Sequence, residues 1–131
     1  MERTAVNPVE WSLELGFNQG ELVSGQTRTL YCAGQTSTGK DGRPEHEGDM
    51  AAQLALSLDN LEAVLAGAGM SLPDLVRLNV YTTDVDELLR HYGVLAGRLA
   101  AAGAAPASTL LGVVRLAAPG LMVELEGTAA A

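Results

Sequence analysis

Residues 49–83 read DMAAQLALSLDNLEAVLAGAGMSLPDLVRLNVYTT, and a change of period within them decides the fold. Met50, Leu54, Leu58, Leu61 and Leu65 recur at three- and four-residue intervals, which places them on one face of a helix over residues 49–67. Gly67 and Gly69 stop that helix, since glycine readily takes the left-handed conformation found at helix ends. Ser71-Leu72-Pro73-Asp74 has the chemistry of one capped turn. The period then drops to two: Val76, Leu78 and Val80 alternate with Arg77, Asn79 and Tyr81, as in a half-buried strand. A helix returning through a short turn into an alternating strand predicts helices layered on a sheet.

Toward the C-terminus, Asp84 and Glu87 form a capping-box-like pair that opens a second helix. Leu88, Tyr92, Leu95 and Leu99 are its apolar stripe, and Gly103 ends it. Two closing strands are expected at about 109–115 and 121–128, joined by a turn at Pro119-Gly120. Toward the N-terminus, Gly39 to Gly48 is a polar loop with Gly42 and Pro44. Residues 17–23 and 28–33 read as a hairpin around Ser24-Gly25-Gln26-Thr27. Trp11, Leu13 and Leu15 alternate with Ser12 and Glu14 as in a strand, and residues 1–9 are expected to be a loosely ordered segment. The order is β-β-β-α-β-α-β-β, an α+β arrangement with two helices on one face of a mixed sheet. A chain of 131 residues has room for one domain, 1–131, and for a core that needs no metal or disulfide.

Eight Lys and Arg against 16 Asp and Glu give a net charge of −8. Nucleic-acid affinity comes mostly from phosphate-bound Lys and Arg, and no basic run exists here, so a nucleic-acid partner or nuclease is not expected. No signal peptide is visible at Met1–Pro8, and the uncharged stretch between Arg98 and Arg115 is broken by Gly103 and Pro106, so no membrane span is expected. The lone Cys32 fits a reducing, cytoplasmic compartment and reads as a small buried hydrophobe. His46, His91 and Cys32 lack ligand spacing, so no metal or cofactor is expected. Gly34-Gln35-Thr36-Ser37-Thr38-Gly39-Lys40-Asp41 imitates a phosphate-binding loop. It fails at Asp41, where Ser or Thr would hold magnesium, and no helix follows to face the phosphates. No Gly-x-Ser-x-Gly elbow supports a serine hydrolase, and Asp84, Asp86 and Glu87 read as helix-start charges.

Three stretches resemble the RidA/YjgF family, whose members are often labelled enamine/imine deaminases. They are Leu30-Tyr31-Cys32-Ala33-Gly34-Gln35, then Gln53 to Gly69 with the following strand to Asp84, then Pro106 to Glu126. The resemblance implies a chorismate-mutase-like fold and a barrel-like homotrimer with a small-molecule cleft at each subunit interface. In archetypal members a cleft arginine holds the carboxylate of a 2-imino acid. A nearby acidic residue and a water then support hydrolysis to a 2-keto acid and ammonia. Position by position, the family arginine becomes Ser108, in Pro106-Ala107-Ser108-Thr109, and a cysteine becomes Leu110. The strand-end serine becomes Ala33 beside a retained Gly34, a helix asparagine becomes Leu89 three residues before Tyr92, and a tyrosine becomes Phe17. Arg115 and Glu124 match the second signature arginine and the acidic position.

A serine cannot act as a bidentate carboxylate clamp, so activity on 2-imino acids is not expected. Ser108 and Thr109 would serve as neutral donors in a less polar cleft. Glu124 and Glu126 share one face of a strand, and a buried glutamate with a raised pKa can work as acid or base. Arg115 either serves the cleft or pairs with a carboxylate, Glu124 included, across the trimer interface. Two functions follow from the resemblance: an enamine/imine deaminase-like hydrolase of a small metabolite, or a non-catalytic trimer that binds one or stabilises an intermediate.

Overall fold

In the computed structural model, which describes residues 1–131, the chain runs β1 (Glu2–Val6), a 3-10 turn (Trp11–Leu15), β2 (Gly20–Ser24), β3 (Thr29–Tyr31) and β4 (Gln35–Thr36). It continues through α1 (Met50–Gly67), a second 3-10 turn (Leu72–Asp74), β5 (Leu75–Thr82), α2 (Val85–Arg90), α3 (Tyr92–Ala101), β6 (Ala107–Gly112) and β7 (Val123–Ala130). This is the expected α+β class: the main sheet is ordered β3-β7-β5-β6, with β4 also on β7. It is mixed, because β5 and β6 are parallel while the pairings to β7 are antiparallel.

The helix read from residues 49–67 forms as its period requires. The Asp49 carboxylate accepts from the Ala52 N–H at the N-terminus, and Met50, Leu54, Leu58, Leu61 and Leu65 are all buried. Gly69 takes φ +71° just past the end. Ser71 and Asp74 close a capping box around the next turn. Gln53 is fully buried on the same apolar face. Its side chain donates to His46 O (3.1 Å) and Gly120 O (2.8 Å) and accepts from Met122 N (2.8 Å), so each buried polar atom has a partner. Those bonds tie the loop before α1 and the entry to β7 to one helix. At Gly127 a Cβ would lie 2.8 Å from Leu75 Cδ2 and 3.3 Å from Leu61 Cδ1, so a larger residue there would force the Leu75 and Leu61 side chains to shift.

Several expectations are corrected. The alternation at 11–15 belongs to a 3-10 turn ending at Gly16 (φ +87°), with Ser12 buried and Trp11, Leu13 and Leu15 exposed. Five residues of alternation carry too little register information to distinguish a strand from a turn. The hairpin of 17–23 with 28–33 does not form: β2 pairs with β1, and β3 pairs with β7. Gly25 (φ +71°) makes the turn, but the turn joins two different sheets. Residues 1–9, expected to be loosely ordered, contain β1, and Arg3 Nε donates to the buried Glu21 carboxylate at 3.0 Å. In β5 an extra residue between Leu75 and Arg77 shifts the parity, so Leu75 is buried with Leu78 and Val80 while Val76 is only half-buried. The second helix breaks at His91 into α2 and α3. Asp84 does accept from Glu87 N, but the Glu87 carboxylate turns to Arg90 (2.6 Å) and His91 (3.1 Å) and leaves the box half made. The closing strands are displaced by two residues at their starts, to Ala107 and Val123. Across the helix layer, Arg98 of α3 reaches Asp59 (2.8 Å) and Glu62 of α1. No helix is long and apolar enough to cross a membrane.

Candidate functional site

Strand register divides the predicted site residues between the two faces of the sheet. Ser108 and Leu110 pair with Leu78 and Val80 and so face the helices. There they meet Leu89 and Val85 of α2, Tyr92 of α3, and Leu15 and Phe17 from the N-terminal turn, enclosing a cavity of about 230 Å³. The Tyr92 hydroxyl donates to Leu15 O (2.8 Å), and Phe17 packs edge-on against Trp11 with centroids 5.9 Å apart. The N-terminal turn is thereby fixed as one wall. Burial pushes the Tyr92 phenol above its ordinary value. Ser108 was expected to offer its hydroxyl as a donor. That hydrogen instead goes to Leu78 O at 2.8 Å, because the inward-facing hydroxyl finds the main-chain carbonyl of the adjoining strand.

The face away from the helices carries the acidic chemistry. Glu124 pairs with Tyr81 and Glu126 with Asn79, so all four side chains share that face. Glu126 accepts from Asn79 Nδ2 (3.0 Å) and the Tyr81 hydroxyl (2.9 Å). These bonds hold the Glu126 carboxyl below its ordinary pKa, and that hydrogen bond to Glu126, with burial adding to it, raises the Tyr81 phenol. Glu124 moves the other way: burial, then the nearby Glu126 charge, raises its carboxyl. Gly34 lies directly against Glu124, and Ala33 beside it is exposed. Arg115, in the turn after β6, makes no ion pair within the chain and borders a second cavity of about 370 Å³ with Tyr81, Glu124 and Glu126. Thr109 belongs to this face too, where its Oγ1 accepts from Arg77. It does not stand beside Ser108 as the pair of donors expected from sequence, since neighbours on a strand point to opposite faces.

The chain therefore gathers Phe17, Leu89, Tyr92, Ser108 and Leu110 in one place and Gly34, Arg115 and Glu124 in another, and no cavity within it holds both groups. Sequence reasoning did not assign Asn79 and Tyr81 to the site, although it read their outward direction; their meeting with Glu124 and Glu126 depends on the β5–β7 register. Cys32 is buried and its thiol pKa is pushed up by that burial, as for an inert packing residue. The imitation phosphate loop runs through β4 into a bridge between Thr38 and Pro44, and Asn60 Nδ2 holds Thr36 O and Thr38 O (2.9 Å each). The next helix begins only at Met50 and not at Lys40, so the backbone arrangement of a phosphate loop is absent.

The family model described as Endoribonuclease L-PSP matches residues 15–131. The mitochondrial protein mmf2 of Schizosaccharomyces pombe is 30% identical over 130 residues, covering 99% of both proteins. The crystal structure of YyfB from Yersinia pestis, a protein of unknown function in the conserved Rid family, matches with a TM-score of 0.87 at 32% identity over 100% of both chains. Escherichia coli TdcF, solved with bound serine, matches with a TM-score of 0.71 at 25% identity over 88% of this chain and 87% of that one. The family match across nearly the whole chain, together with the shared fold, places this protein in the RidA/YjgF (Rid) family.

Proposed function

We propose that the protein is an enamine/imine deaminase-like hydrolase of a small metabolite, working in clefts between the subunits of a homotrimer and lacking the archetypal activity on 2-imino acids. The observation that carries this reading is Glu124, whose carboxyl has a raised pKa, beside Glu126, which is held ionised. Two carboxyls pushed apart in this way suit acid–base work. Assembly through the face away from the helices is supported by its exposed Tyr31 and Leu111. A neighbouring copy laid there would bring its Ser108 cavity up to Glu124, with Arg115 pairing across the interface. The lone buried cysteine supports a cytoplasmic setting. No cofactor, nucleic acid or membrane enters the reaction.

Protonated Glu124 gives its proton to the imine nitrogen as water adds to the carbon, and the resulting carboxylate takes a proton from that water. The carbinolamine then collapses. Glu124 protonates the nitrogen, the C–N bond breaks, ammonia leaves, and the hydroxyl proton returns to Glu124 as the carbonyl forms. The sum is C=NH plus water giving C=O plus ammonia, with Glu124 regenerated.

A second reading, a non-catalytic trimer that binds a metabolite, is favoured by one observation. The Ser108 and Tyr92 hydroxyls both donate to main-chain carbonyls, leaving no free donor on that wall to orient a reacting group. Imines generated in situ by amino-acid and amine oxidases test both readings through carbonyl release. Acceleration that Glu124→Gln abolishes supports the hydrolase. No acceleration, with saturable ligand binding, supports the binder.

A further inference from the structure

We infer that the helix-side cavity takes an uncharged, ring-sized apolar group, so that the ligand class is a neutral imine or enamine bearing an aromatic or branched aliphatic substituent and no carboxylate. The inference rests on the cleft proposed above and names what fills one half of it. The volume, about 230 Å³, exceeds the ~150 Å³ in which a dry apolar cavity already accommodates benzene. It falls below the ~300 Å³ at which pockets for larger, multi-ring ligands begin. One ring with a short substituent matches that space.

The wall chemistry agrees with the size. Seven of its eight lining residues are apolar, and the eighth is Ser108. The two hydroxyl hydrogens on the wall are already donated, from Ser108 to Leu78 O and from Tyr92 to Leu15 O. No Lys or Arg lines the space. A carboxylate entering it would shed its hydration and find neither cation nor donor in return. Arg115 does not remedy this, since it borders the other cavity together with Glu124 and Glu126 and does not line this one. Leu89, 55% exposed, adds an apolar lip where a polar side chain would attract ions.

A matched pair of probes tests this on the assembled protein. Acetophenone and phenylglyoxylate differ only in a methyl group against a carboxylate. Titration followed by methyl NMR is expected to show acetophenone binding at least about tenfold more tightly, with Val80, Val85 and Leu110 methyls shifting. Leu89→Asn, a change at an exposed lip that leaves the fold intact, is expected to weaken acetophenone several-fold. Ser108→Arg is expected to reverse the order of the two probes. Phenylglyoxylate binding as tightly as acetophenone, or acetophenone shifting only methyls outside the cavity, would overturn the inference. These readouts are independent of turnover. Acetophenone in the cavity without any imine hydrolysis upholds the ligand class and removes the hydrolase reading. Hydrolysis that favours carboxylate-bearing imines does the reverse.

Discussion

The carboxyl of Glu124 rests on the bare backbone of Gly34: a Cβ at Gly34 would stand 2.6 Å from Glu124 Cδ and 2.7 Å from its Oε1. The two residues come from strand β7 and from the bend leading into β4, which pair so that Gln35 meets Leu125 and Thr36 meets Glu124. Glycine at 34 is thus a requirement of where the carboxyl sits, and the backbone there does not need a positive φ.

Gly34→Ala should therefore cost little stability, within about 1 kcal/mol, because the clashing atoms are the free end of a side chain that can swing away. Imine hydrolysis should fall by at least about tenfold, because the acid is displaced from its position. Thermal denaturation alongside ammonia release separates the two effects.

The raised Glu124 pKa fixes a sign for pH dependence. The protonated form does the work, so hydrolysis should decline as pH rises through the raised value. In the folded state the proton is held more tightly than in the unfolded chain, so this group's contribution to stability is intact below about 4.5 and is lost as pH climbs through the folded pKa. Glu124→Gln should melt at a higher temperature than the wild type near pH 8, and the difference should vanish near pH 4.

Glu126 behaves oppositely. Its lowered pKa means that its contribution is present above about 4.5 and lost as pH falls through the folded value. Glu126→Gln keeps an acceptor for Asn79 and Tyr81 but removes the charge beside Glu124. The fold should lose about 1 kcal/mol, and the alkaline limb of the activity profile should move to lower pH.

Gln53→Leu should be among the most destabilising single changes outside the site. It strips partners from Met122 N, Gly120 O and His46 O. Losing these three part-buried bonds around a fully buried side chain costs about 1–3 kcal/mol, measurable by urea denaturation. Because Met122 immediately precedes β7, the change should also loosen the segment that carries Glu124.

Restoring the family's cation should change the substrate. Ser108→Arg is expected to confer hydrolysis of 2-iminobutyrate above the level of the wild type, read as 2-ketobutyrate release. A guanidinium at 108 supplies the bidentate partner that a serine cannot.

Much of the fold is legible in the sequence where one face of an element is buried over many turns. The stripe from Met50 to Leu65 and the alternation from Arg77 to Tyr81 are long enough for their periods to be unambiguous. Pairing partners are not legible, because hydrogen-bonded strands share no local signal. Sequence proximity alone therefore suggests β2 with β3, whereas β2 pairs with β1 and β3 with β7. Trp11 to Leu15 misled through brevity, and Val76 through a bulge that no residue type announces. At the site, residue identities transferred from the resemblance do cluster: Phe17, Leu89, Tyr92, Ser108 and Leu110 meet in one cavity. Their separation from Glu124 by the thickness of the sheet was beyond sequence, since it follows from whether 108 and 124 lie in or out of phase across three strands. The contacts of Asn79 and Tyr81 with Glu126 depend on the same strand register and leave no local signal.

A cleft shared between subunits is tested most directly by crosslinking positions 108 and 124. In a Cys32→Ala background, Ser108→Cys and Glu124→Cys treated together with a short bismaleimide should give a covalently closed trimer on a denaturing gel. Each single-cysteine variant should stay monomeric. A doubly substituted protein that runs only as monomer would contradict the shared cleft, and with it the part assigned to Glu124.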